Sequence, residues 1–256
     1  MGAKEIYLLP GGSIEIDRSV FLTGMDLGQK LKAPVYSILI IHDEGPILID
    51  AGLNPEGLKD PGQAWGPRAK VIKPSLAKED TLQSRLKQLG LALSDIKMVI
   101  LTHLHWDHTG SLRFFKTAPI IVQKSEYRFA LHPDAFVSAQ YMENHFAFTL
   151  NYQLVEGDCM PLPGLSLIKT PGHTPGHQSI LVRLDQGGSY IFPGDAICLM
   201  DNLRLKIPSS NNWNNQQAMD SLHRLEHLST LLDARIIPSH DPHIWEGLKK
   251  SPEPFA

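Results

Sequence analysis

Residues 101–110 read LTHLHWDHTG, which places His103, His105, Asp107 and His108 within six positions. Alternate residues of an extended segment point to one side, so His103 and His105 share a face, while Asp107 and His108 address a second point a few ångströms away. That spread suits two cations better than one. Imidazole and carboxylate together favour zinc or a similar borderline divalent ion and disfavour calcium. The apolar run IKMVI leads straight into the motif, where each buried polar group must find a partner. Four independently solvated side chains would need four separate sets of partners; a shared metal site accounts for all of them. Two divalent ions a few ångströms apart acidify a water and polarise a carbonyl or phosphoryl oxygen, which makes metal-assisted hydrolysis the expected chemistry.

The elements that must position this motif are short and β-rich. EIYLL before PGGS, YSILII before HDEG and PILID before AGLNPEG read as strands, and Asp43, Glu44 and Gly45 suit a hairpin turn between the last two. KEDTLQSRLKQLG places Leu82, Leu86 and Leu89 at helical spacing over about 78–90, with Gly90 as its stop. IKMVILTH reads as a buried strand, followed by a short helix near 111–115, the strand PIIVQ and a helix from about 125. The stretch DAFVSAQYMENHFAFTL has mixed periodicity and fits either core or pocket wall. Strands return in LSLIKT, QSILVRL and SYIFPGD, then a helix over roughly 214–233 carries Met219, Leu222, Leu225, Leu228 and Leu232 on one face, ahead of a last strand ARIIPSH. With no Ser- or Gly-rich linker and no repeat, residues 1–256 read as a single domain of the α/β (α+β) class, a sandwich of mixed sheets covered by helices.

Composition narrows the function classes. An apolar fraction of 42% and a charged fraction of 20% are those of an ordinary globular chain, and a net charge of -3 gives no electrostatic case for a nucleic acid or an anionic membrane. No apolar run reaches the eighteen or so residues of a membrane span. Only Cys159 and Cys198 occur, which excludes a disulfide framework, and the N-terminus lacks the build of a secretory signal. The expectation is a cytoplasmic protein with no nucleic-acid or membrane partner.

THLHWDHTG also resembles the T-x-H-x-H-x-D-H signature of the metallo-β-lactamase superfamily. LIDAG (48–52), TPGHTPGH (170–177), PGDA (193–196) and PSHD (238–241) follow in that family's order, so the resemblance covers nearly the whole chain. It implies an αββα sandwich of two mixed β-sheets flanked by helices. It also implies that His103, His105 and His173 hold one metal, that Asp107, His108 and His240 hold the second, and that Asp195 bridges them. Asp50 looks like the carboxylate that orients a ligand imidazole and sets its tautomer, and His177 like a structural hydrogen-bonding neighbour. The expected cofactors are two divalent ions, zinc first, with iron, cobalt or manganese as alternatives.

Within the superfamily the chain resembles the N-acyl homoserine lactonases, the quorum-quenching enzymes of about this length. Class B β-lactamases lack a histidine after the motif aspartate, whereas His108 is present here. Glyoxalase II enzymes carry a C-terminal helical domain, yet sixteen residues follow His240. The resemblance implies hydrolysis of an N-acyl homoserine lactone by a metal-bridging hydroxide, with Asp107 carrying the proton to the leaving group, a small-molecule lactone as partner, and a homodimer as the candidate assembly. Alternatives are another lactone, catabolic or aromatic, or a phosphodiesterase or phosphotriesterase reaction at the same two-metal site. One departure stands out: many members place a tyrosine three residues beyond the bridging aspartate, and this sequence has Cys198 there. A thiol is a weaker and shorter donor than a phenol, so Cys198 is either a catalytic candidate or a small buried hydrophobe. Trp106, Trp65, Phe21 and Phe146 are the candidate substrate-binding residues, with Phe136, Tyr141 and Met142 as further wall candidates.

Overall fold

The computed structural model describes residues 2–256. One sheet has seven strands, β1 (Ala3–Asp17), β2 (Lys30–His42), β3 (Gly45–Ile49), β4 (Pro74–Ser75), β5 (Met98–Ile100), β6 (Ile120–Gln123) and β7 (Tyr152–Val155), in the order β4-β1-β2-β3-β5-β6-β7. A second has five, β8 (Cys159–Leu162), β9 (Leu165–Lys169), β10 (Gln178–Arg183), β11 (Ser189–Phe192) and β12 (Ala234–Ile236), in the order β12-β11-β10-β9-β8. Both sheets are mixed: β3, β5, β6 and β7 run parallel in the first and β11 with β12 in the second, while the remaining pairs are antiparallel.

Alternation along the strands builds the layers. Ile38, Ile40, Ile47 and Ile49 face Leu165, Leu167, Ile180 and Phe192 of the other sheet. Leu39 and Leu48 point the opposite way, onto Leu82, Leu86 and Ala130 of the helices Leu82–Gln88 and Lys124–Leu131. On the far side, Ile168, Leu181 and Ile191 receive Leu222 and Leu225 of the helix Asn215–Leu231. The outcome is the expected αββα sandwich. Each fully buried leucine or isoleucine contributes about 1.5–3 kcal/mol, and a one-residue slip of β2 would exchange its two faces and mismatch the packing of both layers at once.

The hairpin forms where expected, with His42 paired to Gly45 across Asp43 and Glu44. PGGS does not end the first strand. β1 continues through it to Asp17, with a register shift between Pro10 and Ser13, because two small glycines let the strand bulge and keep pairing with β2. The buried strand before the metal motif is only Met98–Ile100, since Asp50 draws the backbone of Thr102 out of the ladder. Strands β4, β7 and β8 have no clear sequence signal: they are short, sit toward the sheet edges and bury little.

Candidate metal centre

Each loop that carries a candidate ligand leaves the same end of the sandwich, just past a strand. Asp50 follows β3, the 102–108 loop follows β5, the 170–177 loop follows β9, Asp195 follows β11 and His240 follows β12. His103, His105, Asp107, His108, His173, Asp195 and His240 are all buried there. They fall into interlocking groups, His103 with His105 and His173, Asp107 with His108 and His240, and His103 with His108 and Asp195, with ligand atoms in each group within 4.8 Å of one another.

Asp195 divides its two oxygens between the sets. Its Oδ2 lies 3.4 Å from His173 Nε2 and 3.9 Å from His103 Nε2, and its Oδ1 lies 3.2 Å from His240 Nε2 and 3.5 Å from His108 Nε2. Tetrahedral bonds of 2.0–2.1 Å separate ligand atoms by roughly 3.3 Å, close to all four spacings. Asp107 Oδ2 stands 3.8 Å from His240 Nε2 and 3.9 Å from His108 Nε2, completing the second set.

The outer ring nitrogens fix the tautomers. His108 Nδ1 donates to Asp50 Oδ2 at 2.7 Å, His103 Nδ1 to Thr102 Oγ1 at 2.9 Å, His240 Nδ1 to the Pro34 carbonyl at 2.9 Å and His173 Nδ1 to Asn212 Oδ1 at 3.2 Å. Every one of these bonds leaves an Nε2 lone pair facing inward. The Nε2 atoms of His103, His108 and His240 and the Oδ1 of Asp195 are buried without a hydrogen-bond partner, and His105 Nδ1 sits only 3.0 Å from His173 Nε2. Lone pairs converging at such distances in a buried site are stabilised by a cation between them. The donor set therefore fits a pair of divalent ions.

Electrostatics agree. Burial, reinforced by neighbouring imidazoles, pushes His103 and His105 well below the ordinary imidazole range, and burial lowers His173 as well, so these rings are neutral donors. Burial also opposes charge on His108, but Asp50, Asp107 and Asp195 outweigh it and hold its pKa well above the usual value. Burial would raise Asp195; His240 and His108 overcome it and keep the carboxylate ionised. Negative charge thus gathers where cations would sit.

The metallo-beta-lactamase superfamily model matches residues 32–240. The N-acyl homoserine lactonase of Bacillus thuringiensis is 33% identical over 254 residues, covering 99% of either chain. The N-acyl homoserine lactonase AttM of Rhizobium radiobacter is 33% identical over 258 residues, covering 98% of each. A solved N-acyl homoserine lactone hydrolase, with N-hexanoyl-L-homoserine bound at its catalytic metal center, superposes with a TM-score of 0.91 at 32% identity, over 99% of this chain and 100% of that one. The chain belongs to the metallo-beta-lactamase superfamily, in its N-acyl homoserine lactonase family.

Other residues of this lactonase-family chain hold the ligand loops in place. His177 lies outside the ligand groups: its Nδ1 pairs with Thr170 Oγ1 at 2.9 Å and its Nε2 accepts from the Asp195 backbone N–H at 3.0 Å, with burial lowering its pKa to about 3. A Cβ on Gly194 would come within 2.7 Å of that Nε2 at a φ of +54°, which is why PGDA needs its glycine. Glu126 is the tie that sequence reasoning missed. Its Oε1 accepts from Leu104 N at 2.9 Å and Tyr141 Oη at 3.4 Å, and its Oε2 from Thr174 Oγ1 at 2.5 Å and Gly176 N at 3.1 Å. One carboxylate thereby joins the loop of His105 to the loop of His173. A Cβ on Gly176 would meet Glu126 N at 2.0 Å, so the second glycine of TPGHTPGH makes room for this contact.

The substrate candidates separate. Phe21 and Trp106 line a small cleft with His105, Asp107, Asp195 and His240, and Phe21 stacks on the His240 ring at 5.2 Å. Trp65 is buried with Trp106 and Phe21 in the cluster beneath, against Gly57, and does not reach the cleft. Phe146 packs wholly in the other core cluster under the helical layer, and Phe136 is exposed. Tyr141 stands edge-on to His105, with its hydroxyl turned toward Glu126, and Met142 packs at the rim of the Trp106 cluster. Cys198 is fully buried, with Sγ 3.7 Å from the Asp195 carbonyl and 3.5 Å from Ser209 Oγ, turned away from the cleft. Burial raises its pKa well above the usual thiol value, so the thiol is protonated.

Proposed function

We propose that the chain is a dinuclear-metal hydrolase that opens the ring of N-acyl homoserine lactones. The observation that carries this reading is the division of the Asp195 carboxylate between two buried ligand sets, with an oxygen for each. His103, His105 and His173 would hold one ion and Asp107, His108 and His240 the other. The imidazole-rich donor set favours zinc over magnesium or calcium. Bound there, two such ions polarise a carbonyl and lower the pKa of water toward neutrality.

The chain's own groups then have defined tasks. Hydrolysis adds a water oxygen to the lactone carbonyl carbon, breaks the bond from that carbon to the ring oxygen, and leaves a hydroxy acid. The attacking water gives up a proton and the departing ring oxygen needs one, and Asp107 at the cleft wall is the carboxylate placed to pass it from the first to the second. Asp50 keeps His108 in the Nδ1–H tautomer, while Phe21 and Trp106 limit water at the cleft. Cys198, turned away, cannot take the place of a phenol at the substrate carbonyl.

Residues 1–256 form one hydrolase domain in this reading, and no helix among the described residues is long and apolar enough to cross a membrane. Two unpaired cysteines, Cys159 and Cys198, suit a cytoplasmic location. The homodimer remains a proposal that sedimentation would check. The decisive experiment is a substrate panel of short- and long-chain N-acyl homoserine lactones, simple γ-lactones and a phosphotriester, with Asp195→Ala as control. The acylated lactones should be the best substrates, with activity and metal lost together in the variant. A phosphotriester turned over faster than every lactone, or an active Asp195→Ala protein, would overturn the proposal.

A further inference from the structure

Two cavities meet above the candidate ligands. The inner cleft is about 20 Å³ and is lined by Phe21, His105, Trp106, Asp107, Asp195 and His240. The outer one is about 430 Å³ and its walls are mainly apolar, with Ile16, Val20, Pro67, Val71 and Ile72. Three polar side chains, Arg68, Gln140 and Asn211, line both. They form a polar collar between a reaction site and a chamber for an apolar tail.

Two members of that collar lack partners. The Nε of Arg68 and the Oδ1 of Asn211 are buried without a hydrogen bond. Arg18, Arg85, Arg113 and Arg224 each meet a carboxylate, whereas Arg68 makes no salt bridge to any described residue and feels Asp107 only through its field. A buried donor and a buried acceptor left unmade each cost about 1–3 kcal/mol, so a ligand that satisfies both is favoured at this point. An unpaired N–H and an unpaired carbonyl oxygen on the shared lining of two cavities can together meet the two hydrogen-bonding groups of a secondary amide.

We propose that Arg68 and Asn211 recognise the amide that joins the lactone ring to its acyl tail. Arg68 donates to the amide carbonyl oxygen and Asn211 Oδ1 accepts the amide N–H, with the ring over the mouth of the inner cleft and the tail in the outer chamber. This makes Arg68 a specificity-determining residue that favours acylamino lactones over lactones bearing only an alkyl chain. The inference rests on the lactonase reading and adds to it the feature of the substrate that the protein selects. A site built to hydrogen-bond a group discriminates strongly against the analogue without it.

The test compares Arg68→Met with the wild-type protein on N-hexanoyl homoserine lactone and on an α-alkyl-γ-butyrolactone of matched tail length. The ratio of kcat/KM for the first over the second should fall about 10- to 100-fold, the effect of losing one charge-assisted hydrogen bond, chiefly through a higher KM for the acylated lactone. Arg68→Lys retains a donor without the guanidinium fork and should fall between the two. Asn211→Leu should shift the ratio in the same direction. Metal content and melting temperature of each variant separate this from a general disturbance, and the ratio itself is insensitive to the fraction of folded enzyme. An unchanged ratio in Arg68→Met overturns the inference while leaving the lactonase reading intact. Wild-type protein that opens neither lactone overturns the lactonase reading first, and the inference with it.

Discussion

Replacing Glu126 by glutamine tests whether one buried carboxylate sets the distance between two ligand loops. The substitution keeps the shape and exchanges one acceptor oxygen for an NH2 donor. Glu126 receives Leu104 N and Tyr141 Oη on one oxygen and Thr174 Oγ1 and Gly176 N on the other, so either orientation of the amide faces its NH2 toward a backbone N–H. A charge-assisted bond worth about 1.5–3 kcal/mol is lost and a buried donor is left unpaired at about 1–3 kcal/mol. Burial already pushes the Glu126 pKa up against those four donors, so removing the charge returns part of that cost. The net is about 3 kcal/mol, which for a chain of this size lowers Tm by roughly 6–12 °C. Metal affinity should fall as well, by about 10- to 100-fold, the usual effect of losing a partner that orients ligands. Differential scanning calorimetry of metal-free protein and a competitive zinc titration measure the two effects. A variant within about 2 °C of the parent, no more than about 1 kcal/mol would produce, with unaltered zinc affinity, would show that the loops hold their spacing without this tie.

Three further outcomes follow from the same structure. Metal analysis should return about two zinc or similar ions per chain, and exhaustive chelation should lower Tm and abolish turnover, each site losing about 2.7 kcal/mol where the free ion stands 100-fold above its Kd; identical melting with and without chelator would count against the centre. Cys198→Ala should leave kcat within about twofold and cost about 1 kcal/mol of stability, and a large fall in kcat at intact stability would return the thiol to the reaction. His145 is buried, with Nε2 2.9 Å from the Ala64 carbonyl, and burial lowers its pKa from 6.5. A lowered imidazole pKa means that the unfolded chain takes up the proton first, so this stabilisation is present above pH 6.5 and is lost as pH falls through the folded value. Denaturant midpoints of metal-free His145→Gln should therefore depend less steeply on pH below 6.5 than those of the parent, and parallel curves would refute the assignment.

Much of the candidate centre is legible because residues of metal-ligating type gather in short local motifs. His103, His105, Asp107 and His108 share one loop, and His173, Asp195 and His240 each lie in a short motif with a glycine or proline that shapes the turn. The alternation of β2 and β3 marked the sheet in the same way. What stayed hidden depends on contacts between distant segments. Glu126 sits in the first turn of an ordinary helix, and nothing nearby in sequence announces Leu104 or Gly176 as partners. Arg68 looks like any loop arginine until the fold shows that it lines the cleft without pairing with a carboxylate. Phe146 and Cys198 point to the same limit, since an apolar side chain near a site in sequence can turn to either wall, and packing alone decides. β1 could not be bounded because a bulge, unlike a turn, lets pairing resume.

The two ligand sets are coupled on both sides, and this limits how the centre can fail. Asp195 joins them from the cleft side. From behind, Asp50 Oδ2 accepts His108 Nδ1 at 2.7 Å and Thr102 Oγ1 at 2.8 Å, and the same Thr102 oxygen receives His103 Nδ1. A single carboxylate therefore orients one imidazole of each set. Asp50 adopts φ +56°, a left-handed conformation that aspartate tolerates better than most residues, and its Oδ1 is pinned by Thr102 N at 2.8 Å. Such strain persists only where surrounding bonds over-determine it, and here three hydrogen bonds do so. Tilting either imidazole moves the shared carboxylate and with it the other ring, so a pair of ions held there would be bound by one rigid unit.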